Sequence, residues 1–229
     1  MLGVAVNSLA VVAGSLLGLL FKKGISEKIS SAVMVAVGLC TMFIGISGML
    51  VDVNALIPVV AMVLGAVIGT LIDIDKCLTK VGDKLSSKLS KNGKGNFTQG
   101  FVSASLLFCV GAMAVTGSIE AGINGDNTVL FTKSILDFTA AIMFASTFGI
   151  GVIFSIIPLT LYQGGIALCA GFLEPVLSEG AVNALSCVGS VIIMGLGLNI
   201  AGVSKFKIAN FLPAILFAPF VYYLFKLIL

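Results

Sequence analysis

Apolar residues run in stretches of about twenty along nearly the whole chain, separated by short polar punctuation. The stretches lie at 2–21, 29–51, 55–73, 99–119, 132–154, 156–174, 181–203 and 208–228. At 1.5 Å rise per residue, each is long enough as an α-helix to cross a hydrocarbon core of about 30 Å. The alternation over roughly ten residues that marks a membrane barrel strand is absent. The pattern predicts an all-α integral membrane protein of about eight transmembrane helices, forming one domain over residues 1–229. Between the fifth and sixth stretches the only punctuation is Ser155 to Pro158, preceded by Gly149 and Gly151. That division fits two crossings, a kink or a re-entrant segment.

Composition agrees with the pattern. Hydrophobic residues make up 59% of the chain and charged residues 10%, against roughly 25% charged in soluble domains. The mean hydropathy is +1.18. No basic segment precedes the first stretch and no small-residue cleavage site ends a short apolar core, so it reads as a retained span. All 13 basic residues are lysines. Lys22, Lys23 and Lys28 fall in the first loop, Lys76 to Lys94 in the third, and Lys205 and Lys207 in the seventh. Lysines in short loops are retained on the cytoplasmic side, which predicts that both termini lie outside. Lys226 sits on the outer side in this scheme and is accommodated by snorkelling at a helix end.

The chemistry available is narrow. There is no histidine, and the five cysteines form no CxxC or spaced pair. Zinc and haem sites built on histidine are therefore not expected, and Cys40, Cys109, Cys169 and Cys187 read as small hydrophobes within spans. No P-loop is present, which disfavours primary pumping. No metal or other cofactor is expected. Residues 74–96 form the one substantial polar segment: Ile74, Leu78, Val81, Leu85 and Leu89 recur at helical spacing, with Lys76, Lys80, Lys84 and Lys88 on another side. That predicts a cytoplasmic amphipathic linker, either pinning topology or meeting anionic headgroups. Gly14 with Gly18, and Gly65 with Gly69, are small-residue pairs on single helix faces. They serve packing within the protomer or a homodimer face.

The stretch "TKSILDFTAAIMFASTFGIGV", Thr132 to Val152, is apolar enough to span yet carries Lys133 and, one turn on, Asp137. These share a face with Ala141, Phe144 and Phe148 and lie near Ser134, while Thr132, Thr139 and Ser146 lie roughly opposite. A helix polar on two sides is expected to be central in the bundle or to line a wet cavity. An intramembrane charge costs at least about 2.5 kcal/mol. A salt bridge that orients the helix and a pathway for a solute or ion are both consistent with that cost. Glu120, with Thr116 and Ser118, ends the fourth stretch on the same outer side, and "YQGG" puts Gln163 in mid-membrane beside two glycines. "GINGDNT" has Asp126 as its only acid and is not expected to bind calcium.

The segments "MLGVAVNSLAVVAGSLLGLLFKKGISEKIS", "FCVGAMAVTGSIEAGINGD" and "TKSILDFTAAIMFASTFGIGVIFS", followed by "YQGG", together resemble the YqgA/YdfK-like family of prokaryotic multi-pass membrane proteins of unknown function. The resemblance covers essentially the whole chain. It implies residence in a prokaryotic cytoplasmic membrane, and it brings no substrate or functional residue with it. Phe138 departs from the small residue that usually follows "LD" in that family.

A weak internal repeat relates the segment from Gly24 to the one from Val176: each has a Ser-Glu pair, then Val-Gly, then a Gly-hydrophobic pair, with registers slipping by one or two residues. A lysine-bearing loop precedes the first copy and an acidic loop the second, as expected of an inverted repeat. The resulting expectation is a secondary transporter, or a channel, for a small solute or ion. Its partners are the bilayer and that solute, not nucleic acid. Asp137 would bind a cation or proton, Lys133 would tune its charge, and Ser134, Thr139, Ser146 and Gln163 would supply neutral ligands, with Glu120 nearby. The alternative is a non-transporting scaffold or assembly factor. An enzyme is disfavoured because Asp137 has no intramembrane aspartate partner, and Lys133 and Ser134, adjacent on a helix, do not face each other.

Overall fold

The computed structural model describes residues 1–22, 27–89, 94–175 and 177–228. Among them the regular structure is helical: α1 (Leu2–Lys22), α2 (Glu27–Met49), α3 (Leu56–Ile72), α4 (Ile74–Leu89), α5 (Lys94–Cys109), α6 (Ala112–Ile123), α7 (Thr128–Phe148), α8 (Ile156–Leu168), α9 (Ala170–Leu173), α10 (Glu179–Ile200) and α11 (Pro213–Ile228). Short 3-10 segments at Ile150–Ser155 and Ile208–Phe211 lead into α8 and α11. Six helical segments are long and apolar enough to cross a membrane, and eight if each of two bent pairs forms one span. Large apolar side chains such as Leu71, Leu161 and Phe172 stay exposed on the outside. Such a surface is stable against lipid and a liability in water.

Two of the expected spans are broken, each at a residue whose backbone cannot continue a helix. The stretch 99–119 is interrupted at Gly111, φ 133, so α5 and α6 meet at 60°. The stretch 132–154 ends as helix at Phe148, because Gly149 takes φ 87 and the chain tightens into the 3-10 segment. A side chain on Gly151 would run into the Phe97 carbonyl. Asp73, φ 54, turns α3 into α4 at 55°, in the left-handed conformation that Asp tolerates better than most residues. α4 is amphipathic as expected: Lys76, Lys80, Lys84 and Lys88 are exposed, and Gly82 and Asp83 meet Thr98 of α5.

Glycines let the helices approach. Along α1, Gly3 meets Leu130, Gly14 meets Ala141 and Gly18 meets Ala145, so α1 and α7 run parallel. Gly65 and Gly69 of α3 meet Ala214 and Asn210 at the start of α11. Both small-residue pairs read from the sequence are thus occupied by helices of the same chain. In α2, Gly38 meets Ala201, Gly45 meets Met194 and Gly48 meets Ser190, which makes α2 antiparallel to α10.

The α2–α10 contacts are reciprocal. A methyl on Gly45 would lie 2.6 Å from Met194 N and 2.8 Å from the Ser190 carbonyl; one on Gly197 would lie 2.7 Å from Met42 N and 2.7 Å from the Gly38 carbonyl. Each residue is exchanged for one 152 positions away. The same step separates Ser8 from Thr160, whose hydroxyls bond at 2.7 Å between α1 and α8. A single register, matching Met42 with Met194 and Gly45 with Gly197, replaces the slipping registers seen in sequence.

Candidate functional site

α7 begins at Thr128, four residues before the expected boundary, where the Asp126 side chain folds back onto the first helical residue. The Asp126 carboxylate accepts from the Thr128 backbone N–H at 2.9 Å and from its hydroxyl at 2.6 Å. Those two bonds, the hydroxyl's first, also hold the Asp126 carboxyl below its ordinary titration range. The earlier start changes the depth of the charges. Asp137 is nearly half way along the 21-residue helix, about 14 Å from its N-terminus, instead of near the membrane surface.

Lys133 Nζ lies 2.5 Å from Asp137 Oδ2, with the two side chains 7% and 9% exposed. The same oxygen accepts from Asn7 Nδ2 of α1 at 2.9 Å, and Asn7 Nδ2 also donates to Gln163 Oε1 of α8 at 3.2 Å. Asn7 and Gln163 are fully buried. Their remaining atoms, Asn7 Oδ1 and Gln163 Nε2, have no hydrogen-bond partner among the described residues. Three helices are thus joined through Asn7, which links Gln163 of α8 to the Asp137 carboxylate of α7, leaving one acceptor and one donor unused in a place where unused polar atoms are unfavourable.

The ion pair is accessible from one side. Lys133 and Asp137 line a cleft of about 340 Å³ between α2, α5, α6, α7 and α10, with Thr139 and Met113 exposed at its edge and Ser186 and Ser190 on its α10 wall. The rest of the lining is mainly apolar. This size and chemistry, an apolar cleft with a few convergent polar groups, are those of a small-molecule site.

The predicted residues divide. Lys133, Asp137 and Gln163 meet in the cluster, and Thr139 lines the cleft. Ser134 is buried but donates to the Leu130 carbonyl of its own helix at 2.7 Å. Ser146 does the same to Met143 at 2.8 Å, packs beside Gly18 and lies outside the cluster. Thr132 and Thr139 also donate to carbonyls of the preceding turn. The second polar stripe of α7 is therefore satisfied within the helix and needs no aqueous face. Glu120 is half-buried on α6 and joins neither the cluster nor the cleft lining. The face through Ala141, Phe144 and Phe148 is buried as expected.

Asn7 was missed by the sequence reading. Its signal was present: seven residues before Gly14 and eleven before Gly18, it shares the α1 face that those glycines press against α7.

The arrangement holds a positive charge, which Lys133 supplies to Asp137 from one turn away. No solved structure matches the chain. Residues 2–223 match the model of a family described as "Protein of unknown function (DUF554)". The uncharacterized membrane protein YdfK of Bacillus subtilis (strain 168) is 34% identical over 225 residues, covering 96% of this chain and 95% of that protein. The uncharacterized protein YqgA of Escherichia coli (strain K12) is 31% identical over 221 residues, covering 95% of this chain and 94% of that one. A family match over nearly the full length, together with two relatives above 30% identity, makes this chain a member of the DUF554 family.

Proposed function

We propose that this protein is a secondary transporter of a small solute or ion across the prokaryotic cytoplasmic membrane, with both termini outside, and that Asp137 is its central binding group. The observation that carries the reading is a mid-span carboxylate, bonded from Lys133 and Asn7, that opens onto a small-molecule-sized cleft. A charge so placed is unfavourable to insert, and intramembrane ionisable residues generally mark pathways. The reciprocal α2–α10 contacts and the Ser8–Thr160 pair support an inverted repeat, the architecture that gives many transporters two alternately open faces. A channel would use the same groups without alternation. No catalytic step is assigned to any residue.

A scaffold is the second reading, favoured by one feature: the ion pair lies within a single helix and is contacted from α1, so it could serve only to orient α7. Thermal unfolding of the purified protein against a panel of small cations and metabolites separates the two. A ligand at a hundred times its dissociation constant adds about 2.7 kcal/mol to the folded state. Stabilisation by a panel member that disappears in the Lys133→Met/Asp137→Asn double variant supports transport; a panel without effect on either protein supports the scaffold.

A further inference from the structure

A second cavity, again of about 340 Å³, lies between α4, α5, α10 and the segment before α11. Its polar lining includes Asp75, Asp83, Thr98, Gln99, Ser103 and Asn199. Asp83 accepts from the Thr98 hydroxyl at 2.7 Å, and the Asn210 side chain holds the Asp75 backbone N–H at 2.8 Å. Ser103 is 4% exposed and lines the chamber. The lysines of α4 do not line the chamber: Lys76, Lys80, Lys84 and Lys88 are exposed. Among the described residues the lining therefore offers two carboxylates with hydroxyl and amide oxygens and no positively charged side chain.

The chamber and the Asp137 cleft follow one another along α5 and α10. On α5 the chamber reaches Leu106 and the cleft begins at Leu107; on α10 the chamber reaches Leu196 and the cleft begins one turn away at Ile193. All four residues are buried. From Ser186 to Ile200 the two cavities follow α10 over about 21 Å, most of a hydrocarbon core of about 30 Å. The internal 152-residue relation carries Ile44 and Gly48, on the cleft, to Leu196 and Ile200, on the chamber.

We infer that the cleft and the acidic chamber are the two ends of one pathway for a small cation, closed between them by a gate of Leu106, Leu107, Ile193 and Leu196. The inference deepens the transport reading and rests on it. Asp75 is half-buried and Asp83 exposed, and carboxylates at the mouth of a recess with apolar walls raise the local concentration of cations and disfavour anions. A cation arriving on the lysine-bearing face is gathered at Asp75 and Asp83, then meets the apolar layer. Past that layer it reaches Asp137, where it replaces the Lys133 ammonium as the counter-charge.

Thiol labelling of the full chain tests this without requiring transport. Cys40, Cys77, Cys109, Cys169 and Cys187 are first replaced by alanine, and single cysteines are introduced as Ser103→Cys or Ser190→Cys. In vesicles of known orientation, the cationic reagent trimethylammonioethyl methanethiosulfonate and the anionic sulfonatoethyl methanethiosulfonate are applied from the face bearing Lys84. Ser103→Cys should react with the cationic reagent about tenfold faster than with the anionic one, relative to a free thiol. Adding Asp75→Asn and Asp83→Asn should abolish that preference. Ser190→Cys should be silent from that face until Leu107→Ala and Ile193→Ala open the layer; if that pair does not give a monodisperse protein, Ile193→Ala alone is used.

No charge preference at Ser103, a preference indifferent to both aspartates, or labelling at Ser190 that ignores the gate variants would overturn the inference. An intact labelling pattern in a protein that no solute stabilises would instead count against the transport reading. Solute stabilisation with the pattern absent would remove the acidic chamber alone.

Discussion

Lys207 reaches Asp73 across 134 positions of sequence at 3.3 Å, with the side chains 63% and 33% exposed, whereas Lys133 reaches Asp137 one helical turn away at 2.5 Å, 7% and 9% exposed. The first pair links the α3–α4 turn to the segment before α11. It is hydrated whether or not the partners meet, and exposed pairs of this kind contribute little to stability. The second pair is local in sequence, yet three helices are committed to it through Asn7 and Gln163. Desolvating both charges offsets most of their attraction, so pairing alone does not explain why they are there. What separates the pairs is the medium, and a pair that gains so little stability in the dry interior is better explained by what it binds or orients.

The largest effect is expected from leaving one buried charge alone. Asp137→Asn keeps the shape but strands the Lys133 ammonium, and should lower unfolding stability by about 3–5 kcal/mol. Lys133→Met with Asp137→Asn should recover most of that loss in chemical denaturation of the detergent-solubilised protein. Recovery of stability without recovery of solute response assigns the pair to binding; recovery of both reduces it to helix positioning. A single Asp137→Asn variant as stable as the parent would show that the pair is hydrated after all, erasing the contrast with Lys207 and Asp73.

Next in size is the partner from α1. Asn7→Leu removes a hydrogen bond to a buried carboxylate and leaves Gln163 Oε1 without its donor. A loss of about 1.5–3 kcal/mol is expected, as for hydrogen bonds to charged groups. Asn7→Asp should be worse than Asn7→Leu, because it places a second carboxylate against Asp137. If both variants unfold like the parent, the three-helix convergence carries no energy and only the local pair remains.

Much of this was legible in the chain. Lys133 and Asp137 stand out because ionisable residues are rare in an apolar stretch, and Gln163 for the same reason more faintly. Asn7 was lost because a lone uncharged amide in an apolar run looks unremarkable unless its face is compared with that of Gly14 and Gly18. Ser134, Thr139 and Ser146 are harder to place from sequence, since a hydroxyl in a helix can return its proton to the preceding turn, as all three do, even Thr139 at the cleft edge. The breaks at Gly111 and Gly149 were hidden for a related reason: in a chain with 27 glycines, only the fold shows which ones adopt a positive φ. The reciprocal register of α2 and α10 is visible only in their contacts, because two generic glycine-rich helices align in several registers while packing selects one.

Close approach of α1 tests the same convergence from a distance. A methyl on Gly18 would lie 2.9 Å from the Ala145 Cβ and closer still to the Ile142 carbonyl. Gly18→Ala should therefore push α1 from α7 and destabilise by about 1–3 kcal/mol, the range for overpacking. A Cβ at Gly164 on α8 would meet no atom within 4 Å. Gly164→Ala should be neutral or stabilising by up to about 1 kcal/mol, through the helix preference for alanine. Equal effects at the two glycines would mean that α1 is not held tightly enough to position Asn7.

The smallest effect belongs to the exposed pair. Asp73→Asn retains a side chain that tolerates the left-handed backbone at φ 54 and removes only the carboxylate that Lys207 contacts, so unfolding at neutral pH should be nearly unchanged. Its signature is a pH dependence. The Lys207 hydrogen bond holds the Asp73 carboxyl below its ordinary value of 3.8, with lesser help from the Lys207 and Lys76 charges. A depressed carboxylate adds stability above its unfolded value and loses it as pH falls through the folded one. The contribution is therefore present at neutral pH and disappears only below about pH 4. Parent and Asp73→Asn stability curves should differ slightly at pH 7 and converge in that acidic window, more so at low salt, where screening is weakest. A gap that widened on acidification, or one as large as that produced by Asp137→Asn, would mean that Asp73 is shielded from water in the membrane-embedded protein and that the two pairs differ less than their exposures indicate.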